Sequence, residues 1–298
     1  MGNLKVSLDN KELNLSQTKE GNVEIISIKI SITVENGSFL HIGAAPSPLT
    51  EKKGAVFKVD RTPVIPATSF KGALRNQMEL LFIEKHRDFK TIFNTKNDDI
   101  IKPCIPSSRL SKAEVELLKK GYRGQMNGNK YTGHCDIQSD ENNVNIGSLG
   151  ICPVCYFMGA TGIMGFLRCS NLYPDQGDWL IDQTNIRIDR KINTAAQRAK
   201  VDGEQVKPNT KFAGAIEVIN KIPQGFEFGR PRKIGSKTID MWLENWNETE
   251  NGARKRILIE KILFPAIQNI KLLGGQKSRG AGKVKVEVTD SQGSQGQC

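Results

Sequence analysis

Apolar and polar residues alternate in two stretches, one near each end of the chain. From Ile26 to Val34 every second residue is Ile or Val, and Ser, Lys or Thr occupies the positions between them. From Val284 to Val288 Val alternates with Lys and Glu. A period of two residues is typical of a β-strand with one buried face. The pattern therefore predicts an early strand and a final strand.

Between these strands the apolar spacing becomes that of a helix. We expect Thr68 or Ser69 to cap a helix whose buried face carries Phe70, Ala73, Leu74, Met78, Leu81 and Phe82. Further helices are predicted over 238–246 and 254–270, the second bent at Pro265 because proline lacks the amide hydrogen. Strands separated by helices predict an α+β fold with a ferredoxin-like (RRM-like) core.

The length of 298 residues suits one core fold that carries sizeable insertions. Residues 103–162 hold four of the six cysteines and are rich in Gly and Asn, so we expect an insertion with little core of its own. Residues 187–212 begin with a basic segment and return to apolar alternation, which favours a long hairpin or finger. The tail 291–298 has low complexity, and we predict that it is disordered.

The net charge of the chain indicates which class of molecule it binds. The 43 Lys and Arg exceed the 32 Asp and Glu, which gives a net charge of +11. This excess favours an anionic partner, nucleic acid before membrane. The chain has no apolar run near the roughly 18 residues of a membrane span, and Met1–Lys19 lacks a secretory pattern. We therefore expect a cytoplasmic protein with no membrane association.

Cys152-Pro153-Val154-Cys155 has the spacing with which two thiolates bind one zinc ion. Cys104 and Cys135 are candidates for the two further ligands, with His134 as the alternative to its neighbour Cys135. A structural zinc would stabilise an insertion that has little core. A redox pair or plain buried thiols remain the alternatives, although the residues after Cys155 do not fit a redox motif. The remaining cysteines, Cys169 and Cys298, are predicted to be ordinary thiols.

Two segments combine free backbone amides with basic side chains. Gly274–Lys283 contains four Gly and three basic residues, a composition that suits phosphate oxygens. It lacks the spacing of a Walker loop, which disfavours nucleotide hydrolysis. The start of the first helix, with Lys71 and Arg75, also suits phosphate. A solvated Gly-rich hairpin and an ordinary helix start are the alternatives for these segments.

Five segments occur in an order that resembles the repeat-associated mysterious protein (RAMP) superfamily, specifically the backbone subunits of type III CRISPR effector complexes. They lie within residues 23–289 and are Leu40–Gly43, Val64–Gly72, Cys152–Gly159, Arg187–Ala195 and Gly274–Gly280. The resemblance implies one RAMP domain over residues 1–298, shaped like a hand. It would comprise a ferredoxin-like palm, a zinc-bearing fingers insertion over 103–162 and a thumb hairpin over 187–212.

The resemblance also implies a function. Such subunits stack along a guide RNA beside neighbouring RAMP subunits and other effector subunits, and the thumb interrupts the duplex of guide and target RNA. The implied RNA contacts lie on the palm and at the thumb base, where the basic residues are Arg187, Arg190 and Lys191. The palm contacts are His41, Ser69, Lys71, Arg75, Lys277, Ser278 and Arg279.

Cleavage of target RNA is where the chain departs from the family pattern. Active members use an aspartate in the loop after the His-Ile-Gly segment, assisted by a divalent ion such as magnesium. Here the loop Ala44–Val59 contains Glu51 as its only acid, and Asp60 closes it. We expect weak or absent cutting, with Asp60 and Glu51 as the candidate catalytic carboxylates.

Two other functions remain open at this stage. One is a RAMP endoribonuclease that processes precursor guide RNA with His41 as general base, against which the long insertion and thumb argue. The other is a zinc-stabilised RNA-binding protein outside CRISPR systems.

Overall fold

The computed structural model describes residues 3–44, 54–140, 143–189, 191, 194–222, 225–247 and 252–289. Glu51, Arg190, Cys298 and the tail 291–298 therefore lie outside the described residues. Within the described ranges no helix is both long enough and apolar enough to cross a membrane. The strands, in chain order, are β1 Leu4–Leu8, β2 Lys11–Glu20, β3 Val23–Val34, β4 Lys58–Val59, β5 Thr62–Pro63, β6 Met126–Asn127, β7 Lys130–Tyr131, β8 Ile137–Asp140, β9 Asn143–Ile146, β10 Leu167–Cys169, β11 Tyr173–Pro174, β12 Leu180–Asp189, β13 Thr194–Val206, β14 Lys211–Lys221, β15 Lys233–Ile234, β16 Lys237–Thr238 and β17 Val284–Thr289.

The helices are shorter than most of the apolar patterns predict. A π-helical turn, Ile259–Leu263, joins the last two α-helices, and 3-10 turns occur at Asp98–Ile100, Met241–Leu243 and Lys277–Arg279. The α-helices are α1 Ala67–Glu84, α2 His86–Ile92, α3 Lys112–Leu118, α4 Pro153–Met158, α5 Ala253–Leu258 and α6 Phe264–Gln268.

An antiparallel sheet of seven strands lies at the centre of this mixed α/β fold. β3 pairs along one edge with β14, and along the other edge with β2 over its first part and β17 over its second. β14 continues to β10 and β11, and β1 lies outside β2. The alternation from Ile26 to Val34 is confirmed, because all five apolar residues of the period are buried. The final strand is confirmed as β17.

The first helix follows the predicted spacing but starts earlier. Pro66 is its N-cap, so the expectation that Thr68 or Ser69 caps it is wrong. The amide of Ala67 donates instead to the side-chain oxygen of Asn171 at 2.9 Å. Five of the six residues predicted for the apolar face of α1 are buried, while Ala73 is half-buried: Phe70, Leu74, Met78, Leu81 and Phe82.

The predicted helix over 238–246 is wrong. Thr238 ends β16, and only Met241–Leu243 form a 3-10 turn. The backbone is held here by buried side chains, since the carboxylate of Asp240 binds Arg232 at 2.8 Å and the ring of Trp242 meets that of Phe93 edge-on at 4.7 Å. These contacts outweigh helix propensity.

The predicted helix over 254–270 is interrupted rather than simply bent. Pro265 lies in the first turn of α6, directly after the π-helical turn. Proline cannot donate a backbone hydrogen bond and its ring crowds the preceding turn, so a wider turn before it accommodates the residue.

A long hairpin, β12 paired with β13, lies outside the central sheet. It runs from Leu180 to Val206, so it begins before the segment 187–212 predicted for it and ends earlier, because Phe212 belongs to β14. Leu40 bridges to Val206, and Gly54 bridges to Gly203. These bridges fix the hairpin's open end beside the segment that follows β3.

Candidate metal centre and nucleic-acid interface

Four cysteines converge in the segment 103–162, and no more than 5% of any of them is exposed. Their sulfur atoms lie within 4.8 Å of one another: Cys104, Cys135, Cys152 and Cys155. Four zinc–sulfur bonds of about 2.3 Å in a tetrahedron place the sulfurs roughly 3.8 Å apart. The donor set and spacing therefore fit a metal ion such as zinc. His134 lies outside this set, and its Nδ1 is 3.0 Å from the carbonyl oxygen of Tyr131.

Helix α4 explains why the Cys-x-x-Cys segment presents both thiols to one point. Pro153 begins the helix, and Sγ of the N-cap Cys152 accepts from the amide of Cys155 at 3.4 Å. The amide of Cys152 donates to Sγ of Cys135 at 3.2 Å. Reactive redox cysteines are partly exposed. The burial of both thiols argues against the redox alternative.

Two guanidinium groups approach the sulfur atoms. Nη2 of Arg123 donates to Sγ of Cys135 at 2.8 Å, and Nη2 of Arg75 donates to Sγ of Cys155 at 3.4 Å. Burial raises the pKa of Cys135, whereas for Cys152 hydrogen bonds from the other thiols and the charge of Arg123 outweigh burial and lower the pKa. Hydrogen bonds among the thiols raise the pKa of Cys155.

Arg75 belongs to this centre by its contacts. Its Nε binds the carboxylate of Glu79 at 2.8 Å, and the other carboxylate oxygen of Glu79 accepts from the hydroxyl of Tyr122 at 2.9 Å. The resemblance implies an RNA contact for Arg75, which shares a helix face with Lys71. The structure turns the Arg75 guanidinium toward the cysteines.

A groove of about 700 Å³ lies between α1 and the Gly-rich loop. Ser69 and Asn76 line it from α1, while Lys271 and Lys277 line it from the other side. The amide of Gly275 donates to the carbonyl oxygen of His41 at 2.7 Å. The groove thus brings together three segments that are far apart in sequence: the His41 segment, the start of α1 and the Gly-rich loop.

Gly274 is required for this approach. Its φ is +74°, and a Cβ there would lie 2.3 Å from the His41 carbonyl oxygen. Beyond it, Lys277, Ser278 and Arg279 form an exposed 3-10 turn between Gln276 and Gly280, both with positive φ. The loop therefore turns away from the sheet and presents two cationic side chains to solvent.

Lys71 faces a different cavity from Lys277. Its Nζ donates to the carbonyl oxygen of Leu167 at 3.4 Å, and it lines a cavity of about 590 Å³ together with Arg168 and the exposed Met164. Burial raises the pKa of nearby Cys169 to about 11, and this cysteine lies outside the cluster of four.

Glu204 was not singled out from the sequence, yet it joins three segments. Its carboxylate binds Nζ of Lys58 at 2.7 Å and accepts from the amide of Val56 at 3.4 Å. Its backbone carbonyl oxygen is 2.9 Å from Nδ1 of His41. No sequence signal distinguished it, because the same hairpin also contains Asp182, Asp189 and Asp202.

The candidate catalytic residue Asp60 and the basic thumb residues Arg187 and Lys191 belong neither to the groove lining nor to the cysteine cluster. Asp60 occupies the two-residue turn between β4 and β5, is exposed and has φ of +47°. Arg187 lies in β12, and Lys191 is exposed between β12 and β13. These basic residues are therefore near the turn of the hairpin and not at its base, because the hairpin starts at Leu180.

Comparison with known proteins gives the following. The family model of the RAMP superfamily matches residues 33–285. None of the curated proteins matches the chain. Among solved structures, it is similar to one chain of the cryo-EM structure of the Type III-B Cmr-beta bound to cognate target RNA, with 12% identity and a TM-score of 0.41. The match covers 89% of the present chain and 61% of the length of the chain in that structure.

Proposed function

The chain belongs to the RAMP superfamily, and from this premise we propose that it is a guide-RNA-binding backbone subunit of a type III CRISPR RNA-guided complex. The observation that carries the proposal is the groove at which the His41 segment, the start of α1 and the Gly-rich loop meet. These are three of the five segments on which the resemblance to such subunits depends.

The strand order supports a ferredoxin-like palm. The central sheet runs β17, β3, β14 and then β10 with β11, all antiparallel. α1 follows β3, and α5 and α6 follow β14. This is the connectivity of a β-α-β-β-α-β unit. On this assignment β1 and β2 are an addition at one edge, residues 103–162 are the fingers with a structural zinc, and β12 with β13 are the thumb.

The groove suits the sugar–phosphate backbone of RNA. Lys271 and Lys277 line it with positive charge, and Ser69 supplies a hydroxyl donor. Ser278 and Arg279 lie exposed in the same turn as Lys277. A guide must be held whatever its sequence, so contacts to phosphates are the chemistry that the function needs. The net charge of +11 acts in the same direction.

The test is binding of unrelated single-stranded RNAs over a range of salt concentrations, measured by fluorescence anisotropy. We expect similar affinities that fall steeply with salt. Lys277→Ala should weaken binding of every RNA and reduce the salt slope by about one. Lys285→Ala is the matched control, because Lys285 is an exposed lysine of β17 that is paired with Glu287. Strong sequence selectivity that survives high salt would contradict the proposal.

A further inference from the structure

Arg123 is a buried cation without a carboxylate partner among the described residues. Only 1% of it is exposed. Its guanidinium donates to the carbonyl oxygens of Gly133, Leu149 and Gly150 at 2.9, 3.2 and 2.7 Å, and to Sγ of Cys135 at 2.8 Å. Carbonyl oxygens satisfy its hydrogen bonds but do not neutralise its charge. A buried charge is costly unless an opposite charge lies nearby.

The four cysteines provide that opposite charge when they hold a divalent ion. Four thiolates and one divalent cation carry a net charge of −2, which two nearby guanidinium groups offset. Arg75 is the second group, with Nη2 3.4 Å from Sγ of Cys155 and 3.9 Å from Sγ of Cys104. Arg75 also binds Glu79, so Arg123 is the partner whose charge belongs wholly to the cluster.

We propose that Arg123, with Arg75, is a positioning residue that orients the sulfur atoms of the cluster and balances the charge of a divalent ion bound among them. The two arginines approach different sulfurs, Arg123 that of Cys135 and Arg75 those of Cys104 and Cys155. Donors to ligand atoms orient those ligands and tune a metal site. The inference rests on the proposed metal centre and is independent of RNA binding.

Arg75 adds a mechanical consequence. Arg75 lies on α1 and contacts the cysteines. Ser69 and Asn76 of the same helix line the groove. An ion that fixes the sulfurs therefore also fixes the middle of the helix that lines the groove. A bound ion would thus stabilise the position of α1 through the contact of Arg75 with the cysteines.

The experiment measures zinc affinity of the full chain by competition with a chromophoric chelator, in the absence of RNA. Arg123→Met removes the charge and keeps an unbranched apolar side chain, and Arg123→Lys keeps the charge. We expect Arg123→Met to lower the affinity by about 10- to 100-fold and Arg123→Lys to lower it less. Arg168→Met is the control, because Arg168 is a surface arginine paired with Glu20 and Glu217.

The cobalt(II) form gives a second readout, because the intensity of its sulfur-to-metal charge-transfer band reports how many thiolates bind the ion. The wild-type band should be that of four thiolates, and the Arg123→Met band should be weaker at equal occupancy. If Arg123→Met does not fold, Arg75→Met decides by the same two readouts. Unchanged affinity in the folded variants, equal losses for Met and Lys at position 123, or a wild-type chain that binds no zinc would each overturn the inference.

Discussion

The buried carboxylate of Glu204 links the β12–β13 hairpin to the segment that follows β3. Glu204 is 8% exposed, and its carboxylate joins the base of the β12–β13 hairpin to Lys58 and to the amide of Val56. The bond crosses between a hairpin outside the sheet and the segment that follows β3. The carboxylate therefore adds a side-chain link to the backbone hydrogen bonds that join Leu40 to Val206 and Gly54 to Glu204.

Glu204→Gln should destabilise the protein by about 1–3 kcal/mol, because it removes the charge that pairs with Lys58 in a partly desolvated site. The free energy of unfolding in urea measures the effect. Glu12→Gln is the matched control, since Glu12 pairs with Lys5 where both side chains are more than half exposed, and an exposed pair contributes little. Equal losses in the two variants would refute the role of Glu204.

At this scale the sequence identifies residue types but not their surroundings. Cys152 and Cys155 indicate a metal pair by spacing alone, and the structure brings the sulfurs of Cys104 and Cys135 within 4.8 Å of theirs. The orientation of Arg75 could not be predicted, because helical spacing places it on a face with Lys71 without showing what packs there. Arg123 was missed because no motif contains it, and only the folded chain brings its guanidinium to Cys135.

Elements follow the hydrophobic period where burial is one-sided and depart from it where buried contacts compete. β3, α1 and β17 are predicted closely because each has one apolar face directed at the core. The segment 238–246 fails because Trp242 and Asp240 are held by tertiary partners in a non-helical backbone. The hairpin start at Leu180 was missed because its first strand, β12, contains mostly polar residues.

We expect the insertion 103–162 to depend on a metal ion bound by its four cysteines. No residue of α3 is buried, whereas the cysteines and the rings near them are. Metal analysis should find about one zinc per chain, and Cys152→Ser should lose it and expose residues 103–162 to protease, because binding free energy then no longer supports the fold. Cys169→Ser is the matched control, since Cys169 lies outside the cluster. A metal-free wild-type chain that resists protease equally would rule out this dependence.

Across the whole molecule, α1 separates three environments. Ser69 and Asn76 line the groove, and Lys71 lines the second cavity. Arg75 contacts the sulfur of Cys155 in the cysteine cluster. The resemblance assigns His41 and the Gly-rich loop alike to the palm, and the amide of Gly275 donates to the carbonyl oxygen of His41. The order of motifs along the sequence could not show that Lys71 and Lys277 face different cavities, because this depends on how α1 is rotated against the sheet.

Cleavage of target RNA can be tested only in the assembled complex, where an attacking 2′-hydroxyl is held in line with its leaving group. Asp60 and Arg61 both have positive φ in a two-residue hairpin turn, a conformation that favours Asp or Asn for backbone reasons. The turn thus accounts for Asp60 without a catalytic role. We expect weak or no cutting of labelled complementary RNA at this subunit's position in magnesium.

Asp60→Asn is the sharpest variant for this test, because Asn tolerates the same backbone conformation and removes only the charge. It should leave the pattern of RNA products unchanged, as should Glu51→Gln. Guide RNA binding, measured on the same preparations, shows that each complex is assembled. Loss of one specific product band in either variant, with guide binding intact, would show that this subunit cuts and would identify its carboxylate. Magnesium bound near that carboxylate would then stabilise the negative charge that develops in the transition state.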